Sequence, residues 1–167
     1  MTLYERPPNY WHIQALFERI DADITGGNPI LTEDEIRDYI GSRVRGVGER
    51  LLDMDGEDVE FYRGRINADN INNRSIIEAI LIQSRGVRPA QTCSCCRRNR
   101  SRRTFPMCLH VPDPLTFQGI CGNCKATGRP SRACNAMIVT LEARERERHQ
   151  VRMGRILQIL DQLLNGV

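Results

Sequence analysis

Seven cysteines carry the chemistry of this 167-residue chain: Cys93, Cys95, Cys96, Cys108, Cys121, Cys124 and Cys134. Two C-x-x-C pairs stand out, "CSCC" (Cys93, Cys96) and "CGNC" (Cys121, Cys124), with 24 residues between them. Two intervening residues let both thiolates of a pair face one ion at about 2.3 Å while backbone amides point at the sulfurs. Gly122 suits the tight turn that this demands. One pair is weak evidence for a metal, and two are strong evidence for zinc. Two stoichiometries follow. Four thiolates from the pairs close a single tetrahedral site, with Cys108 and Cys134 left as core thiols. Alternatively, Cys93, Cys96, Cys108, Cys121, Cys124 and Cys134 hold two zinc ions through bridging thiolates, in the order C-x2-C-x11-C-x12-C-x2-C-x9-C. Cys95 is then supernumerary, although Cys93 and Cys95 can trade places. His110, two residues after Cys108, is a candidate to replace one sulfur. His12 and His149 read as surface or packing residues.

Charge is gathered around the thiols. Residues 85–134 carry nine arginines and Lys125 against Asp113 alone, while residues 1–84 carry nine arginines against sixteen acids. Five of the arginines, Arg97, Arg98, Arg100, Arg102 and Arg103, lie between the first pair and Cys108. Six thiolates around two zinc ions carry a net charge of −2, which nearby guanidinium groups offset. The same groups favour the ionised thiol and so are expected to lower its pKa. A local field of this sign also suits a polyanion or an acidic protein partner. The blander reading is that these side chains only balance the cluster and stay solvated.

Several classes are excluded or disfavoured. No apolar run approaches the ~20 residues of a membrane span. The opening "MTLYERPPNYWH" has no apolar core of a secretory signal, so an intracellular, nuclear location is expected. Thiols stay reduced there, which favours metal ligation. A disulfide-stapled secreted protein remains an alternative, against which the odd cysteine count argues. Neither C-x-x-C sits in a βαβ setting that would suit a redox pair. No H-E-x-x-H, deaminase H-x-E with P-C-x-x-C, Walker A, G-x-G-x-x-G or G-x-S-x-G motif is present, so no enzymatic activity is expected. "LLDMDGEDVEFY" fails as a calcium loop, because Gly56 falls at the fourth position and Gly64 stands where the bidentate Glu belongs.

Positioning the thiols requires helices on either side. "YWHIQALFERIDADI" places Tyr10, Ile13, Leu16, Phe17, Ile20 and Ile24 on one stripe, after Pro7-Pro8 and before Gly26-Gly27. "LTEDEIRDYI" opens with Thr32 and Glu35 as a capping box, and Ile36, Tyr39 and Ile40 follow at helical spacing. Val44, Val47, Leu51 and Leu52 can extend that helix, against Gly41, Gly46 and Gly48. "NRSIIEAILIQSRG" predicts a helix burying Ile76, Ile77, Ile80 and Leu81, ending near Gly86. Residues 87–134 have little periodicity and too little apolar surface to order themselves, so a staple must hold them. From Leu141 the pattern is helical again, with Met153, Ile156/Leu157, Leu160, Leu163/Leu164 and Val167 along a seam of about two heptads. The expectation is that this seam packs on the helices of residues 9–82, and pairing in a homodimer is the alternative. The predicted fold is therefore mainly α: an acidic helical region (1–86), an irregular Cys-rich zinc module (87–136) and a C-terminal amphipathic helix (137–167).

The residues also resemble two fungal families. "CSCCRRNRSRR" and "CGNCKATGRPSRAC" look like the halves of the zinc binuclear cluster of fungal transcription regulators, in which six cysteines hold two zinc ions. That resemblance implies that Arg97, Arg98 and Arg100 lie on a short helix that enters the DNA major groove. Eleven residues separate the second and third cysteines here, where that family has six. A fuller resemblance is to an uncharacterised fungal cysteine-rich domain family, through a C-x-x-C, "FPMC" (Phe105 to Cys108), "GICGNC", "SRAC" and the lead-in "IIEAILIQSRG". It implies zinc and no established activity. Together these observations predict a non-enzymatic, zinc-binding protein-interaction module. The alternative is a DNA-binding regulator that uses Arg97, Arg98, Arg100, Arg102 and Arg103.

Overall fold

In the computed structural model the chain is mostly helical, with two short strands among the described residues. The structure describes residues 10–22, 26–41, 43–44, 46–113, 117–128 and 134–165. Pro7, Pro8, Ile24, Arg129, Arg132 and Val167, and the side chains of Tyr10, His12 and Ile13, lie outside that description.

Helix α1 (Tyr10–Ala22) buries Phe17 and Ile20, as its stripe requires. Arg63 donates to the Ile20 carbonyl at 3.0 Å, which satisfies one of the acceptors that a helix end leaves open. Strand β1 (Ile30–Leu31) pairs antiparallel with β2 (Val59–Glu60), Leu31 opposite Val59. Helix α2 (Glu33–Ile40) begins at the expected capping box: Thr32 Oγ1 accepts from the Glu35 amide, and Glu35 accepts from the Thr32 amide at 2.9 Å. Ile36, Tyr39 and Ile40 are buried. The expected extension of α2 does not form. A separate short helix, α3 (Val47–Leu52), carries Leu51 into the core. The acidic stretch after it leads into β2.

Helix α4 (Arg74–Arg85) is the centre of the molecule. Asn73 caps it by accepting from the Ser75 amide. The sequence predicts one buried side, but every residue from Ile76 to Arg85 is buried. A helix covered all round lies between two layers, and its polar side chains show which. Towards the N-terminal elements, Arg85 pairs with Glu33 at 2.6 Å and donates to the Leu51 carbonyl, while Ser84 donates to the Glu57 carbonyl. Towards the cysteines, Glu78 pairs with Lys125, and Gln83 donates to the Met107 carbonyl at 3.4 Å. The helix closes against Gly86, which is extended rather than left-handed. A Cβ there would meet the Ile82 carbonyl at 2.3 Å and His110 at 3.1 Å, so the glycine serves a close approach.

Beyond α4 the chain forms α5 (Ser94–Arg98), a 3-10 turn at Arg100–Arg102, α6 (Gly122–Ala126) and α7 (Ala136–Leu164). His110 is the middle rung of two antiparallel bridges, to Val87 on one side and Cys121 on the other. Helix α7 starts five residues earlier than its periodicity suggests. It does not pack on the helices of residues 9–82. Ala136 and Thr140 are its only buried residues among those described, and its apolar seam is exposed. The seam has the composition of a buried face, and nothing within the described chain covers it.

Candidate metal centre

The two C-x-x-C pairs are built alike. Cys93 is the N-cap of α5 and Cys96 lies in its first turn; Cys121 is the N-cap of α6 and Cys124 lies in its first turn. In each, the amide four residues after the leading cysteine closes the helix on its carbonyl: Arg97 on Cys93 at 3.0 Å and Lys125 on Cys121 at 2.9 Å. The helical turn brings both sulfurs of a pair to one side. Backbone amides donate to sulfur at two points, Cys96 to Cys93 Sγ and Cys121 to Cys134 Sγ, both at 3.3 Å.

The sulfurs of Cys93, Cys96, Cys121 and Cys124 all lie within 4.8 Å of one another, and all four residues are buried. The Cys93–Cys121 and Cys93–Cys124 separations are 3.8 Å, and Cys96–Cys121 is 3.6 Å. Four sulfurs arranged tetrahedrally about 2.3 Å from one ion stand about 3.8 Å apart, so the cage fits zinc. A disulfide requires about 2.0 Å, and none of the seven cysteines is joined in one.

Cys108 and Cys134 are also buried, and Cys134 lies against the cage, its Sγ accepting from the Cys121 amide. Cys108 interacts with Cys93, Cys96 and Cys121. Cys134 interacts with Cys121, Cys124 and Cys93. Four of the six expected ligands, Cys93, Cys96, Cys121 and Cys124, are therefore brought together in one cage. Cys95 is buried but outside the four-sulfur cage. His110 is fully buried and turned to α7, its Nε2 2.8 Å from Thr140 Oγ1. That hydroxyl itself donates to the Ala136 carbonyl, so His110 Nε2 is the donor. Burial, with the Arg144 charge, lowers the His110 pKa against the neighbouring Val111 backbone and keeps the ring neutral.

Without a cation, thiols this close cannot all ionise. Hydrogen bonds led by that from Cys108 lower Cys93, and the same donor lowers Cys96 to about 4. Contact with Cys121 lowers Cys134. Cys121 is raised, first by Cys108. Cys124 is raised because Cys134, Cys93, Cys96 and burial outweigh the lowering by Cys121. In the absence of a cation, neighbouring thiols and burial dominate these shifts.

The arginines divide into two roles. Arg97, Arg98, Arg100 and Arg102 are exposed and make no ion pair or side-chain hydrogen bond among the described residues. Arg103 is half-buried and grips the Cys96 carbonyl through Nε at 3.1 Å and Nη2 at 2.9 Å. It braces the end of α5 and is not a free surface cation.

Sequence reasoning missed the clasp that presents Cys108. Asn123, between the ligands of the second pair, is 4% exposed. Its Oδ1 accepts from the Thr104 and Phe105 amides, both at 2.8 Å, and its Nδ2 donates to the Phe105 and Met107 carbonyls at 3.0 and 2.8 Å. One side chain thus holds the segment that ends in Cys108. Gly122 also has a different purpose from the one inferred. It sits inside α6, where a Cβ would meet Gln83 Nε2 at 2.5 Å and the Ala79 carbonyl at 3.0 Å. Its absent side chain lets α6, with both its thiols, lie directly on α4. The only signal in the sequence was that both residues fall between ligands.

This arrangement defines a compact thiol-rich module seated on a helix. Residues 79–136 match a family described as protein of unknown function (DUF3716), a match that runs from inside α4 to the first residue of α7 and spans all seven cysteines. No curated protein and no solved structure matches the chain.

Proposed function

We propose that the chain is a non-enzymatic interaction protein whose middle third is held by a two-zinc, six-thiolate cluster. The observation that carries this reading is the buried cage of Cys93, Cys96, Cys121 and Cys124, with Cys134 held against it by the Cys121 amide. Cys93 and Cys121 are then the bridging ligands, Cys96 and Cys108 complete one site, and Cys124 and Cys134 complete the other. The zinc is structural, because the donor set leaves no open position for a substrate. Elemental analysis of reduced protein is expected to give two zinc ions per chain. Cys108→Ser is expected to lower this to one, while Cys95→Ser leaves two. One ion in the unaltered chain would support the single four-sulfur site, and none would end the metal reading.

A second reading is favoured by one specific observation. Arg97, Arg98, Arg100 and Arg102 are exposed without partners among the described residues, beside the cluster. Such a surface suits nucleic acid, and binding should weaken steeply as salt rises. Fluorescence anisotropy on duplex DNA at low salt tests it. Arg97→Ala with Arg98→Ala should reduce binding while zinc content stays at two. No binding at low salt would exclude DNA and leave an acidic protein surface as the partner.

A further inference from the structure

The largest feature without a role is the distal part of α7. Met153, Ile156, Leu157, Leu160, Leu163 and Leu164 are 41–83% exposed on a helix that lies beside residues 87–90 as far as Glu147 and carries this face beyond them. Summed over these side chains the exposed surface is on the order of 700 Å², against the ~800 Å² that each partner buries in a standard interface. Monomeric proteins rarely expose so much contiguous apolar surface. Met153, Ile156, Leu160 and Leu163 alternate at three and four residues, the spacing of a helix-pairing seam.

We propose that this face pairs with the same face of a second copy of the chain, in antiparallel orientation. The direction follows from the charge pattern. Carried one heptad back, the seam meets Arg146 and His149. In a parallel pair these side chains would stand against their own copies, which costs stability. Antiparallel pairing centred near Gln158 sets Met153 against Leu163 and Ile156 against Leu160. It confines the overlap to the apolar stretch and leaves the Arg/Glu-rich stretch 142–152 solvated. One surface meets itself about a two-fold axis, so a single sequence specifies the contact. The proposal does not depend on the metal reading.

Sedimentation velocity on the metal-loaded full chain at about 100 μM is expected to show a dimer. Leu160→Asp, at an exposed position, is expected to give a monomer with unchanged metal content. The double substitution Arg152→Lys with Asn165→Lys reports orientation. Within one chain these positions lie about 20 Å apart along the helix, too far for a short amine cross-linker. Peptide mapping is expected to find 152 joined to 165 between chains. A monomeric parent, a dimer indifferent to Leu160→Asp, a higher assembly, or links of 165 to 165 would each overturn the proposal.

Discussion

The elements on the two sides of α4 are held by different physics. On one side, α1 to α3 and the small sheet bury Phe17, Ile20, Leu31, Ile36, Ile40, Leu51, Val59 and Phe61. This is an ordinary aliphatic core, in which each buried side chain contributes roughly 1.5–3 kcal/mol. On the other side, residues 87–134 bury seven thiols, four of them in one cage, with Phe105, Val111 and Ile120. Their order rests on directional contacts: Asn123 on four backbone groups, Arg103 on Cys96, and the His110 bridges to Val87 and Cys121. Apolar cores tolerate small losses of volume. A polar clasp around a thiol cage has few parts, and each is needed. Helix α4 presents one set of side chains to each regime, so the two are joined through it.

The most severe test of that contrast is Cys121→Ser. Cys121 shares the cage with Cys93, Cys96 and Cys124 and its amide donates to Cys134 Sγ, so its loss should release all bound zinc. Structural zinc contributes about 10–16 kcal/mol of binding free energy in small modules. Native-state hydrogen exchange should then show complete loss of protection in α5 and α6. Partial loss is expected in α4, and the least in α2. Equal loss in α2 and α6 would mean that the aliphatic side cannot stand without the metal, and the contrast would fail.

Asn123→Ala is expected to follow. It leaves the Thr104 and Phe105 amides without an acceptor, and burying unsatisfied donors costs about 1–3 kcal/mol each. A loss of about 3 kcal/mol in metal-loaded protein is expected. Ile36→Val, in the aliphatic core, should cost only about 1 kcal/mol. Thermal or denaturant melts compare the two, and a similar cost for both would erase the distinction.

How much of this was legible beforehand follows the same division. Helices α1, α2 and α4 were readable because amphipathic periodicity and the Thr32–Glu35 capping box are local signals. The cysteine cluster was readable because ligand spacing is local too. The burial of α4 on every side was not, because its second face is covered by a segment 40 residues away that has no periodicity. The roles of Asn123, Arg103 and Gly122 were hidden for the same reason: each depends on what tertiary structure sets opposite it. Helix α7 was recognisable as a helix. Its exposure was not, since an apolar seam looks the same in sequence whether it is covered by its own chain or by another.

The ion pair between Glu78 and Lys125 crosses the junction itself. Burial alone would raise the Glu78 pKa, but hydrogen bonds and charge from Lys125 and Arg74 outweigh it, and the net shift is downward. A folded pKa below the unfolded one contributes stability above the ordinary carboxylate range, and that contribution is lost as pH falls through the folded value. Glu78→Gln should therefore cost about 1 kcal/mol at neutral pH. The difference in stability between the parent and Glu78→Gln should shrink as the solution is acidified below pH 5. A difference that stays constant with pH would assign the contact to packing rather than charge.

The smallest effect belongs to the exposed arginines. Arg97 and Arg98 end α5 with no partner among the described residues, and surface substitutions away from buried contacts usually change stability by less than about 0.5 kcal/mol. Cations in the last turn of a helix favour its dipole by a few tenths of a kcal/mol, and in a five-residue helix beside the thiol cage this is the whole structural benefit they can supply. Arg97→Ala with Arg98→Ala should therefore leave the melt and the zinc content nearly unchanged. Arg103→Ala should lower the melt visibly, because it frees the Cys96 carbonyl. If the exposed pair proved as costly as Arg103, these side chains would be working on the cluster and not on a partner. The case for an outward-facing basic surface would then collapse.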